Sequence, residues 1–296
     1  MHNSPIDPIT AYVGGDVNIS LEQRAALEAY WGIDKHPVEQ YLTWLKNIVR
    51  GDMGTSKVHR RPVSDIIQEK FLASFALMGL SWILSGSIGF CMGIIAAIKK
   101  GKVTDKIIKW ISYIQASVPT FWLGLLLLII FSVWLEWFPI GISVPIGVAS
   151  SDVTLMDRIH HLILPVATLS VLGIANVTLH TREKMIDVLN SEYIVFAKAR
   201  GETTWQIIKN HGLRNVALPA ITLHFAYFGE LFGGSVLAEQ VFSYPGLGST
   251  LTEAGLKSDM PLLMGIVMIS AIFVFTGNML ADILNSVINP CLKEEI

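Results

Sequence analysis

The stretch Glu192–Pro219, EYIVFAKARGETTWQIIKNHGLRNVALP, decides how the rest of the chain is read. It is polar and basic and lies between two hydrophobic runs. Ala197, Ala199 and Gly201 make one edge of it small, so another protein surface can approach the backbone closely. Gly201 suits a helix C-terminus, because glycine adopts positive φ without steric cost. Thr203-x-x-Gln206 is a capping-box pattern that starts a second short helix. Pro219 opens the next hydrophobic run. The spacing predicts helix, turn, helix, then a membrane segment.

Composition sets the surroundings of this stretch. Of 296 residues, 52% are hydrophobic and 16% charged, against roughly 25% charged in an ordinary soluble domain. Five hydrophobic runs follow the first 70 residues. Phe71–Ile98, Ile111–Leu135, Leu162–His180 and Leu262–Ala281 hold no Asp, Glu, Lys or Arg, and Val216–Ala238 holds only Glu230. Each is near the ~20 residues that a helix needs to cross the hydrocarbon core. One such run fits a buried soluble helix; five do not. The expected fold is all-α and polytopic, with about five transmembrane helices.

The loops set the orientation. Lys99, Lys100, Lys102, Lys106 and Lys109 follow the first run, and Thr181–Asn215 carries Arg182, Lys184, Lys198, Arg200, Lys209 and Arg214. The alternate loops hold only Arg158 and Lys257. The positive-inside rule places the basic loops in the cytosol. Residues 1–70 then form an extracytoplasmic helical segment. Residues 71–290 form the transmembrane domain with cytosolic loop 181–215, and 291–296 form a cytosolic tail. Lys57, Arg60 and Arg61 run against this assignment. Five spans with an external start and no signal peptide are also awkward, and a preceding span absent from this chain would resolve both the insertion and the odd count. Within the first segment, Ser20-x-x-Gln23 opens a helix through Tyr30, and Pro37 starts another with Tyr41, Leu42, Leu45, Ile48 and Val49 on one face.

Packing signals lie inside the runs. Ser81, Ser85, Gly89, Gly93 and Ala97 recur every fourth residue, a small stripe that favours close packing within the chain over dimerisation. Gly229-x-x-x-Gly233 offers the same. Pro119, Pro165 and Pro219 mark expected kinks or broken turns.

Few residues carry chemistry. The phosphate-binding loop G-x-x-x-x-G-K-[ST], H-E-x-x-H and G-x-S-x-G are all absent from the sequence, which leaves an enzyme without a constellation. Cys91 and Cys291 read as two inert side chains. Glu230 is the acidic group set well inside a run, and a membrane-embedded carboxylate is a functional candidate by default. It reads equally as a packing residue beside Gly229, Gly233 and Gly234. His224, six residues earlier, shares a cavity with it only if the helix breaks at the glycines. His160-His161 reads as an interfacial anchor, since adjacent side chains diverge on a helix. Phe242–Gly248 reads as a tight turn.

Four motifs in order then resemble a known family. They are E-Y-I-x-x-A-x-A-x-G (Glu192–Gly201), H-x-L-R-N-x-x-L-P (His211–Pro219), V-F-S-Y-P-G-L-G (Val241–Gly248) and Asn289-Pro290. Together they resemble the inner-membrane permeases of ATP-binding-cassette (ABC) importers, in the branch that takes dipeptides, oligopeptides and nickel. Arg50–Ser56 resembles that branch's G-D-x-G-x-S segment. The resemblance implies the type I permease fold in a bacterial or archaeal inner membrane. It implies a second permease, two ATP-binding subunits and an extracytoplasmic binding protein as partners. It implies no cofactor in this chain, with ATP and magnesium used by the partners. It assigns ATPase coupling to Glu192, Tyr193, Ala197, Ala199, Gly201, His211, Arg214, Asn215 and Pro219. A path for substrate is expected at Glu230, His224, Gly233 and Gly234. Gly229–Gly234, GELFGG, is more similar to nickel permeases than to dipeptide permeases, so nickel, chelated or free, is the first expected substrate and a short peptide the second. A stand-alone secondary transporter or channel using Glu230 is the alternative. Family members begin with a transmembrane helix leading into P-G-D-P, and this chain starts near that point, at Ser4–Pro8. The Gly201-to-Pro219 spacing is longer than in the general importer loop and suits the peptide and nickel branch.

Overall fold

The computed structural model describes residues 20–25, 36–145, 147 and 152–288. The expected helix end at Tyr30 and the motif Asn289-Pro290 lie outside the described residues. At Ser20 the capping pair forms, with Gln23 N donating to Ser20 Oγ and Ser20 N to Gln23 Oε1, both at 3.2 Å. Helix α1, Pro37–Val49, starts at the proline, with the His36 imidazole accepting from Val38 N. Tyr41, Leu42, Leu45 and Val49 are exposed on it.

Three helices are long and apolar enough to span a membrane: α2 (Val63–Ile98), α5 (Leu155–Leu189) and α11 (Met260–Ile288). They have 36, 35 and 29 residues. At 1.5 Å per residue even 29 residues reach about 43 Å, past a ~30 Å hydrocarbon core. Two bent pairs complete the set. Helix α3 (Val103–Ser117) meets α4 (Thr120–Leu128) and its π-helical continuation Ile129–Trp134 at 102°. Thr204–Ala226 meets α9 (Phe228–Val241) at 53°. Thr204–Ala226 comprises α7 (Thr204–Ile207), a π-helical turn at Ile208–Gly212 and α8 (Leu213–Ala226). Among the described residues this makes three spans, or five if each bent pair is one span.

The breaks correct two expectations. The run Ile111–Leu135 is not one straight helix. Val118 precedes Pro119, is pushed to extended backbone, and ends α3 there. Pro165 and Pro219, by contrast, sit inside continuous helices. The second bend comes at Tyr227, where Trp82, Phe225, Phe228 and Phe273 pack in sequence, tilted, stacked and edge-on in turn, at centroid separations of 4.8, 5.6 and 5.3 Å. Aromatic packing surrounds that bend, and the nearest proline, Pro219, lies a full two turns before it.

The chain divides into two compact units: the described residues up to Ala73 with Gly246–Ser270, and Ser74–Pro245 with the described residues from Ala271. In the first, Val63, Ile66 and Ile67 pack with Leu247, Ala254, Leu262 and Ile266. The Gly51–Ser56 segment folds as a tight cap. Gly54 takes φ +81° while its N–H donates to Asp52 Oδ1 at 2.8 Å. Buried Asp259 accepts from Ser56 Oγ at 2.6 Å and from Val58 N at 2.9 Å. Helix α10 (Leu247–Leu256) belongs to this unit.

In the second unit the small stripe of α2 packs against α5. A Cβ on Gly89 would lie 2.8 Å from Val177 Cβ and 2.9 Å from the Ile174 carbonyl. One on Gly93 would lie 2.6 Å from Thr181 Cβ and 2.7 Å from the Thr178 carbonyl. Ser85 touches Gly173 in the same way, and Ser81, Ser85 and Ala97 are buried. The stripe serves packing within the chain.

Helix α3 is held to α5 by a fork-like ion pair. Arg182 Nε and Nη2 donate to the Asp105 carboxylate at 2.6 and 2.9 Å, and Gly101 N donates to the same group at 2.8 Å. Asp105 is 2% exposed. Removing one member of a buried pair strands the other charge. Asp105→Ala is therefore expected to cost about 3 kcal/mol and to lower the Tm of the purified protein; an unchanged Tm contradicts the pair's structural role.

Candidate functional site

The Glu192–Pro219 stretch folds as a braced loop. Helix α6 (Glu192–Ala199) ends in a Schellman motif. Gly201, at φ +84°, donates to Lys198 O at 2.9 Å, and Glu202 N donates to Ala197 O at 3.2 Å. Thr203 then caps the next helix, exchanging hydrogen bonds with Gln206 through backbone and side chain. Both local signals fall where the sequence puts them. The second helix does not stop, however: from Thr204 it continues through the π-helical turn into α8. The loop is thus continuous with the helix that enters the hydrophobic run Val216–Ala238.

Polar motif residues lock the loop together. Asn215 Nδ2 donates to the Tyr193 hydroxyl at 3.2 Å and to the His211 carbonyl at 2.8 Å. His211 Nε2 lies 3.1 Å from Glu202 Oε2, and Arg200 Nη2 lies 2.7 Å from Glu202 Oε1. The Arg200 guanidinium, with His211 behind it, holds the Glu202 carboxyl below the usual carboxylate range. Glu202 is a loop residue that sequence reasoning missed; only its place just after the glycine cap marked it. Arg214 and Glu192 are exposed, and Pro219 lies half-buried inside α8.

The small edge faces differently from the expectation. Ala197 is 2% exposed and packs with Ile194, Ile207 and Leu189 in the loop's own core. Its spacing of three from Ile194 puts it on the inner face of α6, so it cannot offer an open edge. Ala199 and Gly201 are exposed. What the loop presents outward is Tyr193, Val195, Phe196 and Trp205, with Phe196 73% and Trp205 69% exposed. A large aromatic surface on a braced loop outside the apolar runs is the kind of feature that marks a protein contact.

Within the membrane helices, His224 and Glu230 are not paired. His224 is buried and stacked on Trp82 at 4.5 Å, with its Nε2–H donating to the Trp82 carbonyl at 2.8 Å. The Trp82 indole donates back to the His224 carbonyl at 3.2 Å. A cleft of about 290 Å³ beside this pair is lined by Gly86, Phe90, Val177, Ala220 and Ile221. Glu230 is exposed in the first turn of α9. Gly233 is exposed with open space beside its Cα, whereas a Cβ on Gly234 would lie 2.8 Å from Leu169. Gly233 and Gly234 therefore sit on opposite sides, one open and one packed.

Glu239, just past the end of the hydrophobic run Val216–Ala238, was missed by the sequence reading. It is fully buried, and Ser74 Oγ donates to it at 2.6 Å. The segment after it is no simple surface turn either. Phe242 and Tyr244 are buried, and Ile142 N donates to Phe242 O at 2.8 Å. His160 Nε2 meets the Trp137 carbonyl at 3.0 Å and His161 Nδ1 the Asp157 carbonyl at 2.8 Å, with the rings 85° apart.

Bent and straight apolar helices, with a braced loop between two of them, are the parts of a polytopic membrane protein. The chain belongs to the family of binding-protein-dependent transport system inner membrane components, which matches residues 89–294. It is 38% identical over 294 residues to the oligopeptide transport system permease protein AppB of Bacillus subtilis (strain 168), covering 99% of this chain and 92% of that protein. It is 31% identical over 313 residues to the dipeptide transport system permease protein DppB of Escherichia coli (strain K12), covering 100% and 92%. The glutathione transport system permease protein GsiC of Escherichia coli O6:H1 is 32% identical, over 99% and 91%. In fold, the chain is similar to the inward-facing MetNI methionine ABC transporter, with a TM-score of 0.60 at 15% identity over 75% of this chain and 96% of that one. It is thus the permease component of an ABC importer, a family that works with ATP-binding and substrate-binding components.

Proposed function

We propose that this chain carries short peptides inward as one of two permeases, driven by ATP-binding subunits that grip the Glu192–Pro219 loop on the cytosolic side. The exposed Phe196–Trp205 surface carries this reading: it is aromatic, lies outside the apolar runs, and stands on a loop continuous with α8. ATP-driven closure below then moves the loop and, through it, the bent helix pair, switching the permease between inward- and outward-facing states. ATP and magnesium act in the partner subunits, and an extracytoplasmic protein delivers the peptide. The transport names of the relatives, oligopeptide, dipeptide and glutathione, support a peptide substrate. Glu230, Gly229 and Gly233 form the path-facing side of α9, with His224 behind them as a packing residue.

The test is uptake of a labelled dipeptide and of radioactive nickel into cells carrying the complete importer, with and without its ATP-binding subunits. Dipeptide uptake that disappears without those subunits supports the proposal. Nickel uptake without dipeptide uptake replaces the substrate, as the resemblance of Gly229–Gly234 to nickel permeases would have it. Uptake that persists without ATP-binding subunits points instead to a gradient-driven carrier working through Glu230.

A further inference from the structure

Helix α9 has two unlike sides. Ser235, Ala238 and Glu239 are buried, and Gly234 abuts Leu169. Gly229, Glu230, Gly233 and Leu237 are exposed, and Ala226 at the end of α8 continues the same face. Glu230 lies among these small and apolar residues, with the Tyr227 phenol near enough to feel its charge. It makes no ion pair or hydrogen bond with the described residues. A carboxyl group turned to lipid is costly, so this face is expected to meet water or a polar partner.

The surroundings favour a positive visitor of modest size. A Cβ on Gly233 would have nothing within 4 Å, so there is room one turn from the carboxylate. The break at Tyr227 ends α8 next to Glu230. Two of the last carbonyls of α8 are already taken, His224 O by the Trp82 indole and Phe225 O by Tyr227 N, so they add nothing for a visitor. The Glu230 carboxylate is the acceptor on offer here, and it suits a group with a full positive charge and N–H donors. Among the described residues no three His, Cys, Asp or Glu side chains gather at one place, and His224 is turned into Trp82, so the donor set suits a primary ammonium better than a borderline metal ion.

We propose that Glu230 receives the α-ammonium group of the peptide as it passes through the permease. This rests on the reading that α9 lines the path, and two measurements separate the claims. First, Glu230→Cys is made in a chain whose Cys91 and Cys291 are serine, and the assembled importer is treated with a small membrane-impermeant thiol reagent. Labelling is expected; its absence, from a cation of the second permease or any other cover, overturns the path reading and this proposal with it. Second, uptake of a free-amino dipeptide and its N-acetyl counterpart is measured in proteoliposomes at saturating loaded binding protein. Glu230→Gln is expected to slow the free dipeptide about tenfold and the acetylated one less than about twofold, a loss of one charge-assisted contact. Taking the ratio of variant to wild type cancels the binding protein's own preference. An equal effect on both peptides, or none on either, overturns the ammonium contact while the labelling result still stands for the path. If too little acetylated peptide is delivered to measure, the free dipeptide decides. A slow Gln variant beside a near-normal Glu230→Asp supports the contact; Gln equal to wild type, or Asp as slow as Gln, overturns it.

Discussion

Phe196→Glu is expected to cut ATP-driven uptake more than tenfold while the protein still inserts and purifies normally. Phe196 is mostly exposed on α6 and lies outside the cluster of Ile194, Ala197, Ile207 and Leu189. The fold therefore loses little when it changes. A docked partner loses an aromatic anchor and gains a buried charge. Central aromatic anchors are worth about 2–4 kcal/mol at an interface, or roughly 30- to 1,000-fold in affinity. The readouts are co-purification of the ATP-binding subunits and uptake in proteoliposomes. Normal co-purification and uptake together contradict the role given to this surface. Ala197→Leu is the contrasting change: it overfills the loop's own core, and its expected signature is lost stability of the loop rather than a clean loss of partner.

Gly93→Val is expected to act on folding itself. The added Cβ meets Thr181 Cβ at 2.6 Å and the Thr178 carbonyl at 2.7 Å. One of these is backbone, so a rotamer change cannot relieve the clash. Helices α2 and α5 must separate, with loss of the neighbouring contacts at Gly89 and Ser85. Overpacking of this kind costs about 3 kcal/mol, and at a helix interface in lipid no hydrophobic force compensates for the lost packing. Monodispersity in detergent and thermal unfolding measure it. A Gly93→Val protein as stable as wild type contradicts the close α2–α5 contact.

What could be read from the sequence was local or periodic. The Gly201 cap and the Thr203–Gln206 box each depend on residues within four positions, and both formed as the pattern required. The Ser81-to-Ala97 stripe was legible because its period matches a helix face. The inward turn of Ala197 was not, because the small edge and the inner face of α6 coincide there and composition does not separate them. Pairs distant in sequence carry no local mark. Asp105 and Arg182 are 77 positions apart, and Ser74 and Glu239 are 165. The sequence marks Pro219 and the glycines for a break, but it falls at Tyr227, beside aromatic contacts that reach Trp82 and Phe273 on other helices. The exposed Phe196 and Trp205 were quoted within the motif, yet which side they take depends on the turn geometry at Arg200–Thr203.

The coupling claim is tested most directly by placing a cysteine at Phe196 in a chain whose Cys91 and Cys291 are serine, and crosslinking the assembled importer. The account predicts an adduct with an ATP-binding subunit and no reaction with an impermeant thiol reagent added from outside. Labelling from outside, or no adduct with any companion subunit, would contradict it.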